Sequence, residues 1–240
     1  MTVDKSAARV RRMFGEIAGR YDLLNHLLSL NVDRYWRWRT VREVAPAGEA
    51  PILDLCTGTG DLALAYAKAA GGAKIVGADF CHPMLKLGDE KKRTAGLNGQ
   101  LAFVEADAEQ LPFPADRFQI VCVAFGLRNV SRTERGLAEM ARVCRPGGQV
   151  AVLEFSTPQW QPFKAFYGWY FRNVLPRIGQ LLASNRLDAY NYLPESVGEF
   201  PAGEALAQLM RQAGLEQVRY RSLTLGIATL YVGTKCTPSS

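Results

Sequence analysis

The chain has 240 residues, 48% of them hydrophobic and 22% charged, and a net charge of +6. This composition is ordinary for a globular protein with a real core, and no run approaches the ~18 consecutive apolar residues of a membrane span. Five separated cysteines and only two histidines argue against a disulfide framework and against a zinc or histidine-rich centre, so no metal is predicted.

Residues 1–49 are predicted to be helical. The charged stretch from Met1 to Arg12 lacks the apolar segment of a secretory signal, so a cytoplasmic location is the default expectation. Farther along, one stretch is especially rich in arginines and aromatic residues. It suits either a lipid headgroup interface or a solvated basic face whose tryptophans pack inward. Its key residues are Arg34, Trp36, Arg37, Trp38 and Arg39.

Residues 50–156 alternate between strand and helix. The strand candidates are short, rich in aliphatic residues and mostly without strict alternation, as expected for strands buried on both faces. Such an alternation predicts a parallel, doubly wound sheet, and Arg145–Gly148 is expected to break the last helix before the next strand. The strands are predicted at Pro51–Cys56, Lys74–Asp79, Leu101–Glu105, Gln119–Ala124 and Gln149–Phe155, and the helices at Asp61–Ala70, Pro83–Thr94 and Thr133–Cys144.

Residues 157–202 interrupt this pattern with an aromatic-rich helix, Gln161 to about Ala183, and with loops. A helix over 203–214 and two strands, Glu216–Arg221 and Ile227–Gly233, then end the chain as an antiparallel hairpin. We expect one α/β domain over residues 1–240, with a mostly parallel seven-stranded sheet. In it, 1–49 form a helical extension and 157–202 an insertion on the substrate side.

The loop Asp54-Leu-Cys-Thr-Gly-Thr-Gly-Asp61 follows a strand and opens a helix. It departs from a dinucleotide fingerprint because Cys56 replaces the first glycine, and no Gly-Lys-Ser/Thr follows, as a P-loop requires. Gly58 and Gly60 permit close approach of a ligand to the backbone. Carboxylates at both ends disfavour a pyrophosphate and suit a cation, and both the sulfonium and the amino group of S-adenosylmethionine are cationic.

Two further acidic positions follow the next strands. Asp79 ends the second strand, where a carboxylate can accept hydrogen bonds from both hydroxyls of a ribose. Asp107 and Ala108 follow the third strand, where the edge of an adenine would lie. The structural alternative is that the glycines only make a tight turn and that Asp79 caps a helix. Together, in this strand order, the features favour an S-adenosylmethionine-dependent methyltransferase.

Several strings resemble one family, the C-methyltransferases of menaquinone and ubiquinone biosynthesis, over roughly residues 10–235. The strings are Tyr21-Asp-Leu-Leu-Asn25, Phe125-Gly-Leu-Arg-Asn-Val130, Arg142 to Gly148, Leu153-Glu-Phe-Ser156, Leu175-Pro-Arg-Ile-Gly179 and Tyr192-Leu-x-Glu-Ser196. The resemblance implies a class I S-adenosylmethionine-dependent methyltransferase fold and C-methylation of a polyprenylated quinol. It implies cofactor binding at Thr59, Asp79, Asp107, Ala108 and Ala124, the last of which stands where the family usually has Ser or Gly. Asp33 replaces its usual His.

The acceptor implied by the resemblance is demethylmenaquinol, with the benzoquinol precursor of ubiquinone as the alternative. Arg128, just past the fourth strand, is expected to orient or acidify the quinol, with Asn129 holding the loop; a structural arginine–carboxylate pair is the competing interpretation. The helix carrying Phe163, Phe166, Tyr167, Trp169, Tyr170 and Phe171 is a candidate wall for the prenyl tail.

Other readings remain open. The chain could methylate another small molecule, or the +6 charge could serve nucleic acid. The basic residues are dispersed, however, and no RNA-binding string is found, so no nucleic-acid partner is expected. The sequence leaves undecided whether the protein forms a homo-oligomer and whether it contacts the inner face of the cytoplasmic membrane.

Overall fold

The computed structural model describes residues 4–29, 31–158 and 188–237, and between the last two stretches residues 160, 161, 164, 165, 168 and 173. Two helices, α1 (Ala7–Leu28) and α2 (Val32–Glu43), precede the sheet. They lie in the segment where the sequence predicts helical structure.

Over residues 50–156, strands and helices then alternate as the sequence predicts, and within this stretch only the start of the last strand differs by more than a residue from its prediction. The elements are β1 (Ile52–Leu55), α3 (Asp61–Ala69), β2 (Ile75–Asp79), α4 (His82–Thr94), β3 (Leu101–Glu105), β4 (Phe118–Ala124), α5 (Thr133–Val143) and β5 (Cys144–Phe155). Next come α6 (Asp188–Glu199), α7 (Glu204–Gln212), β6 (Leu215–Leu223) and β7 (Ala228–Lys235).

Among the described residues, seven strands form one sheet in the order β3-β2-β1-β4-β5-β7-β6. The five strands β1 to β5 are parallel to one another. The last strand, β7, inserts between β5 and β6 and is antiparallel to both. A mostly parallel sheet with a late antiparallel hairpin is thus confirmed.

Helices cover both faces of the sheet, which is why its central strands are buried along their length. One apolar cluster contains Leu137 of α5 and Met210 of α7. The other contains Trp36 of α2 and Tyr66 of α3. The sheet is therefore doubly wound, and its strand order reverses between β1 and β4.

The break expected at Arg145–Gly148 is wrong as a strand boundary. Strand β5 already begins at Cys144, which pairs with Phe118, whereas the next pair is Ile120 with Gln149. The residues between them bulge out of the ladder. Proline and consecutive glycines normally end a strand, but a β-bulge accommodates them because its extra residues need no ladder hydrogen bond.

The aromatic-rich helix predicted from Gln161 to about Ala183 falls largely outside the described residues, and so do its aromatic side chains from Phe163 to Phe171. Helix α6 occupies the later part of the 157–202 segment. In the part of the chain that the structure describes, no helix is both long and apolar enough to cross a membrane.

Candidate cofactor and active site

A cavity opens at the carboxyl edge of the sheet, beside the reversal of strand order. Ligands of open α/β sheets bind at this place, because the loops after the strands diverge there. The ends of β1 to β4 form most of the wall, and α1 closes one side. The cavity is lined by Arg11, Phe14, Tyr21, Leu55, Cys56, Gly58, Asp79, Phe80, Cys81, Met84, Ala106, Asp107, Ala108, Glu109, Ala124, Phe125, Gly126, Asn129, Val130 and Ser131.

The site residues predicted from sequence fall into two groups. Those that line the cavity are Gly58, Asp79, Asp107, Ala108, Ala124 and Asn129. Those that do not line it are Asp54, Thr59, Gly60 and Arg128. The second group lies next to the first and makes contacts that hold the loops in place.

Asp79 is held by both loops that flank the cavity. The backbone N–H of Gly58 donates to its Oδ2 and that of Cys81 to its Oδ1, each at 2.8 Å. Burial raises the pKa of this carboxyl, and the two backbone hydrogen bonds oppose that rise. Because each carboxylate oxygen has further acceptor capacity, Asp79 can still bind the two hydroxyls of a diol.

Asp54 is enclosed beneath the glycine loop. Its Oδ2 accepts hydrogen bonds from Thr57 Oγ1 at 2.5 Å and from the N–H of Ala63 at 3.0 Å. These bonds fasten the loop to the first turn of α3. Burial raises the pKa of Asp54 to about 7, so its proton is retained to a much higher pH than that of an exposed aspartate.

An ion-pair network ties the same loop to α1. Thr59 Oγ1 donates to Asp22 Oδ1 at 2.6 Å. Lys91 Nζ lies 2.8 Å from Asp22 and 2.5 Å from Asp61, while Arg37 of α2 lies 3.2 Å from Asp61. The sequence suggests that Asp61 offers its charge to a cationic ligand, but Lys91 and Arg37 already match that charge.

One group of potential metal ligands borders this network. His26, Asp33 and Asp61 have ligand atoms that all lie within 4.8 Å of one another. Arg37 pairs with both of these carboxylates, and a second cation at this point would meet its repulsion. We therefore assign the group to the ion pairs that hold α2 against the loop.

Two glycines are required by close packing at and behind the cavity wall. Gly60 has a φ of 84°, and a Cβ there would lie 2.5 Å from the Phe103 ring. Gly126, in the turn after β4, approaches Cys56 so closely that a Cβ would lie 2.3 Å from the Cys56 Cβ. Only glycine lets these loops come together at the switch in strand order.

Arg128 lies in the turn after β4 and pairs with Glu154 of β5. Its Nη1 lies 3.0 Å from Glu154 Oε2, and both side chains are buried. The same Nη1 donates to the carbonyl of Phe125, and the guanidinium lies over the Phe155 ring at 5.3 Å. The arginine–carboxylate pair considered from the sequence is therefore present.

Three buried polar atoms near this pair have no hydrogen-bond partner among the described residues: Arg128 Nε, Asn129 Oδ1 and the Tyr192 hydroxyl. Buried polar atoms are normally satisfied, so each such atom calls for a ligand or a water molecule. Tyr192 comes from α6, which packs against the turn Leu127–Asn129. In the sequence, Tyr192 stands out only as part of the family-like string Tyr192–Ser196. Its contact with the turn could not be predicted, because the two are more than sixty positions apart along the chain.

Helix α1 supplies wall residues that the residue patterns alone do not reveal. Arg11, Phe14 and Tyr21 line the cavity, and the Arg11 guanidinium lies 5.5 Å from the centre of the Phe80 ring. The sequence predicts helical structure here, but only the string beginning at Tyr21 connects this helix with the site. The wall thus combines aromatic rings, acidic groups and backbone that a ligand can approach closely. Together these groups suit a cationic nucleoside such as S-adenosylmethionine.

Comparison with known sequences assigns residues 1–235 to the model of the ubiE/COQ5 methyltransferase family. A demethylmenaquinone methyltransferase from Thermus thermophilus is 49% identical, with 93% of this chain and 100% of the relative covered. A demethylmenaquinone methyltransferase from Deinococcus radiodurans is 47% identical, with 97% of this chain and 94% of the relative covered. A ubiquinone/menaquinone biosynthesis C-methyltransferase UbiE from Geobacter sp. strain M21 is 45% identical, covering 97% and 99%.

Solved structures share the fold at much lower identity. A SAM-dependent methyltransferase from Thermotoga maritima matches with a TM-score of 0.65 at 16% identity, covering 93% of this chain and 98% of the other. A Haemonchus contortus phosphoethanolamine N-methyltransferase, in complex with S-adenosylhomocysteine, matches with a TM-score of 0.62 at 12% identity. This match covers 84% of this chain and 52% of the other. These likenesses confirm the class I S-adenosylmethionine-dependent methyltransferase fold.

Proposed function

Since the chain belongs to the ubiE/COQ5 methyltransferase family, we propose that it methylates a ring carbon of demethylmenaquinol and so forms menaquinol. Family and fold together make it an S-adenosylmethionine-dependent methyltransferase. The observation that carries the choice of acceptor is the name of the Thermus and Deinococcus relatives, which are similar over nearly their whole length. The Geobacter relative's double name supports a second candidate, the 2-polyprenyl-6-methoxy-1,4-benzoquinol precursor of ubiquinone.

Quinone analysis of a strain lacking this protein separates the two acceptors. Loss of the enzyme should make demethylmenaquinone accumulate, and a copy of the wild-type sequence should restore menaquinone, both measured by mass spectrometry of extracted quinones. Accumulation of the benzoquinol precursor alone would instead favour the ubiquinone pathway. Unchanged levels of both would contradict the proposed function.

We propose that the cofactor occupies the cavity with its ribose at Asp79, which keeps acceptor capacity on both oxygens, and with its adenine beside Asp107 and Ala108. Gly58 and Ala124 lie at the cavity wall, where they can meet the methionine part through their backbone. Thr59 and Gly60 shape this loop, and Asp54 fastens it from below. Bound here, S-adenosylmethionine supplies an electrophilic methyl group in a site built from the ends of four strands.

In the proposed reaction, a bond forms between the methyl group and the quinol ring carbon while the sulfur–methyl bond breaks, and the ring carbon then loses its proton. The chain's contribution is chiefly positioning, which can lower a barrier by roughly 7–11 kcal/mol in favourable cases. Arg128 and Asn129 are the proposed residues on the acceptor side. Because Glu154 neutralises much of the charge of Arg128, we favour orientation of a quinol oxygen over strong acidification.

Substitution of Arg128 by lysine tests this role. Lysine keeps a positive charge beside Glu154 but removes the Nε–H, so kcat should fall about tenfold or more while the Kd for S-adenosylmethionine stays unchanged. Arg142→Lys is the matched control, because Arg142 also pairs with a glutamate, Glu139 at 2.6 Å, outside the cavity wall. If Arg128→Lys kept the wild-type kcat and KM, Arg128 would be only structural.

We also propose that the whole chain is one methyltransferase domain, with residues 1–49 and 157–202 on the substrate side. Helix α1 supports this, because it contributes to the cavity wall. A polyprenylated acceptor resides in a bilayer, so we propose that the protein works in the cytoplasm at the inner face of the membrane. A detergent-free assay with acceptor embedded in vesicles measures whether the enzyme reaches such a substrate.

A further inference from the structure

Helix α2 has two faces that differ sharply in exposure. Trp36 is only 2% exposed and packs against Phe125 of the cavity wall, with the ring centres 5.6 Å apart. On the opposite side, Tyr35 and Trp38 are 46% and 48% exposed, with their rings 5.9 Å apart. The basic and aromatic stretch therefore divides: Trp36 belongs to the core, whereas Tyr35 and Trp38 face outward.

Besides the two rings, an exposed apolar side chain lies on a turn next to this helix. Leu225, in the turn between β6 and β7, is 62% exposed and has a left-handed backbone with φ 56°. This conformation is strained for leucine, and the side chain of Leu225 gains nothing from burial in exchange. The turn adjoins α2, because Trp36 Nε1 donates to Thr224 Oγ1 at 2.8 Å.

The turn that carries Leu225 lies at the edge of the sheet where the cavity opens. Ala228, the first residue of β7, pairs with Phe155, the last residue of β5. The turn before β7 thus sits at the carboxyl end of β5. Trp36 links the two places, since it contacts both Phe125 of the cavity wall and Thr224 of the turn.

Arginines accompany the exposed rings. Arg34 and Arg42 are exposed and lie one turn to either side of Trp38 on the same face of α2. The Arg42 guanidinium lies over the Trp38 ring at 5.0 Å. Within the described part of the chain, neither arginine pairs with a carboxylate, so both charges are available to an anionic partner.

We propose that Arg34, Tyr35, Trp38, Arg42 and Leu225 form a docking rim that seats the enzyme on an anionic lipid bilayer. Tryptophan and tyrosine favour the interface between headgroups and acyl chains, and unpaired arginines add attraction to anionic headgroups. The inference rests on the proposed membrane-resident acceptor. The rim would place the cavity mouth at the bilayer surface, where a ring anchored by a prenyl tail can enter it.

Vesicle binding by the full-length protein tests the rim. The variant combines Trp38→Ser with Leu225→Asn, since asparagine tolerates the left-handed backbone and the fold should persist. Wild type should float with vesicles of phosphatidylethanolamine and phosphatidylglycerol, and far less with pure phosphatidylcholine. The double variant should bind the anionic vesicles at least tenfold more weakly. Tyr220→Ser is the matched control, because Tyr220 is 43% exposed on β6, away from the turn.

Two activity assays separate this inference from the proposed function. With a quinol carrying a short, water-soluble tail, wild type and double variant should have equal kcat and KM. With a long-tailed quinol in anionic vesicles, only the double variant should lose activity. Equal vesicle binding by wild type and double variant, or no binding by wild type, would overturn the docking rim. Failure of wild type to methylate the short-tailed quinol would instead count against the proposed function.

Discussion

The acidic side chains around the glycine loop differ in whether their carboxylates are available to a ligand. Their positions and their existing hydrogen bonds and ion pairs determine this availability. Asp79 and Asp107 line the cavity, whereas Asp54 lies beneath the loop and Asp61 is paired with Lys91 and Arg37. The sequence places all four near the site, because each lies at the end of a strand or the start of a helix. The sequence alone does not show which carboxylate is paired with a cation, because Lys91 and Arg37, the partners of Asp61, are far from it along the chain.

Substitution of Asp79 by asparagine tests the proposed ribose contact. Asparagine keeps the size of the side chain but loses one acceptor oxygen and the charge. A hydrogen bond to a charged group contributes about 1.5–3 kcal/mol, so the Kd for S-adenosylmethionine should rise roughly tenfold to a hundredfold in calorimetry. Asp89→Asn is the control, since Asp89 is a half-exposed aspartate that pairs with Lys92 and does not line the cavity. Equal Kd values for Asp79→Asn and wild type would remove Asp79 from the cofactor site.

Asp54 should make stability depend on pH in an unusual direction. Its pKa of about 7 in the folded protein lies above the ~3.9 of an unfolded aspartate. Its contribution to stability is therefore fully present below about pH 4 and is lost as the pH rises towards 7. Between these limits, the free energy of unfolding of wild type should fall by roughly 3 kcal/mol relative to Asp54→Asn, measured by denaturant titration. Parallel pH profiles for the two proteins would contradict the burial of a proton on Asp54.

Among the elements, the strands were the most predictable. Aliphatic runs mark β1 to β4 closely, and those of β1, β2 and β4 are buried on both faces, as a parallel sheet covered by helices requires. The start of β5 was mispredicted because the bulge at Arg145–Gly148 depends on pairing with Phe118, a tertiary contact. The directions of Trp36 and Trp38 were also undetermined, because the rotation of α2 about its axis is set by its packing on Phe125 and Thr224.

The contact between two loops at the switch in strand order can be tested at Gly126. Alanine there would place a Cβ 2.3 Å from the Cys56 Cβ, and the backbone of one loop must shift. Overpacking of this kind costs about 1–3 kcal/mol, so Tm should fall by several degrees, measured by differential scanning calorimetry. Gly99→Ala is the control, because a Cβ there has no neighbour within 4 Å among the described residues. Equal Tm values for the two variants would show that the loops can separate without cost.

For the whole molecule, the cavity, the wall residues of α1 and the turn that carries Leu225 all lie at the carboxyl edge of one sheet. The fold could be predicted because βαβ alternation and a late hairpin are local patterns. The choice of a quinol acceptor came from strings such as Phe125–Val130 and is supported by relatives sharing nearly half of their residues. The packing of α6 was not predictable, because Tyr192 meets the turn at Arg128 only in the folded chain.

Methyl transfer by the purified protein tests the central claim most directly. The assay supplies S-adenosylmethionine carrying an isotopically labelled methyl group, together with demethylmenaquinone in its reduced or its oxidised form. We expect labelled menaquinol, with the methyl group on a ring carbon in the product's fragment ions, from the reduced form only, because the quinol ring is nucleophilic and the quinone ring is not. Absence of labelled product from demethylmenaquinol, with S-adenosylmethionine bound and the protein folded, would contradict the account.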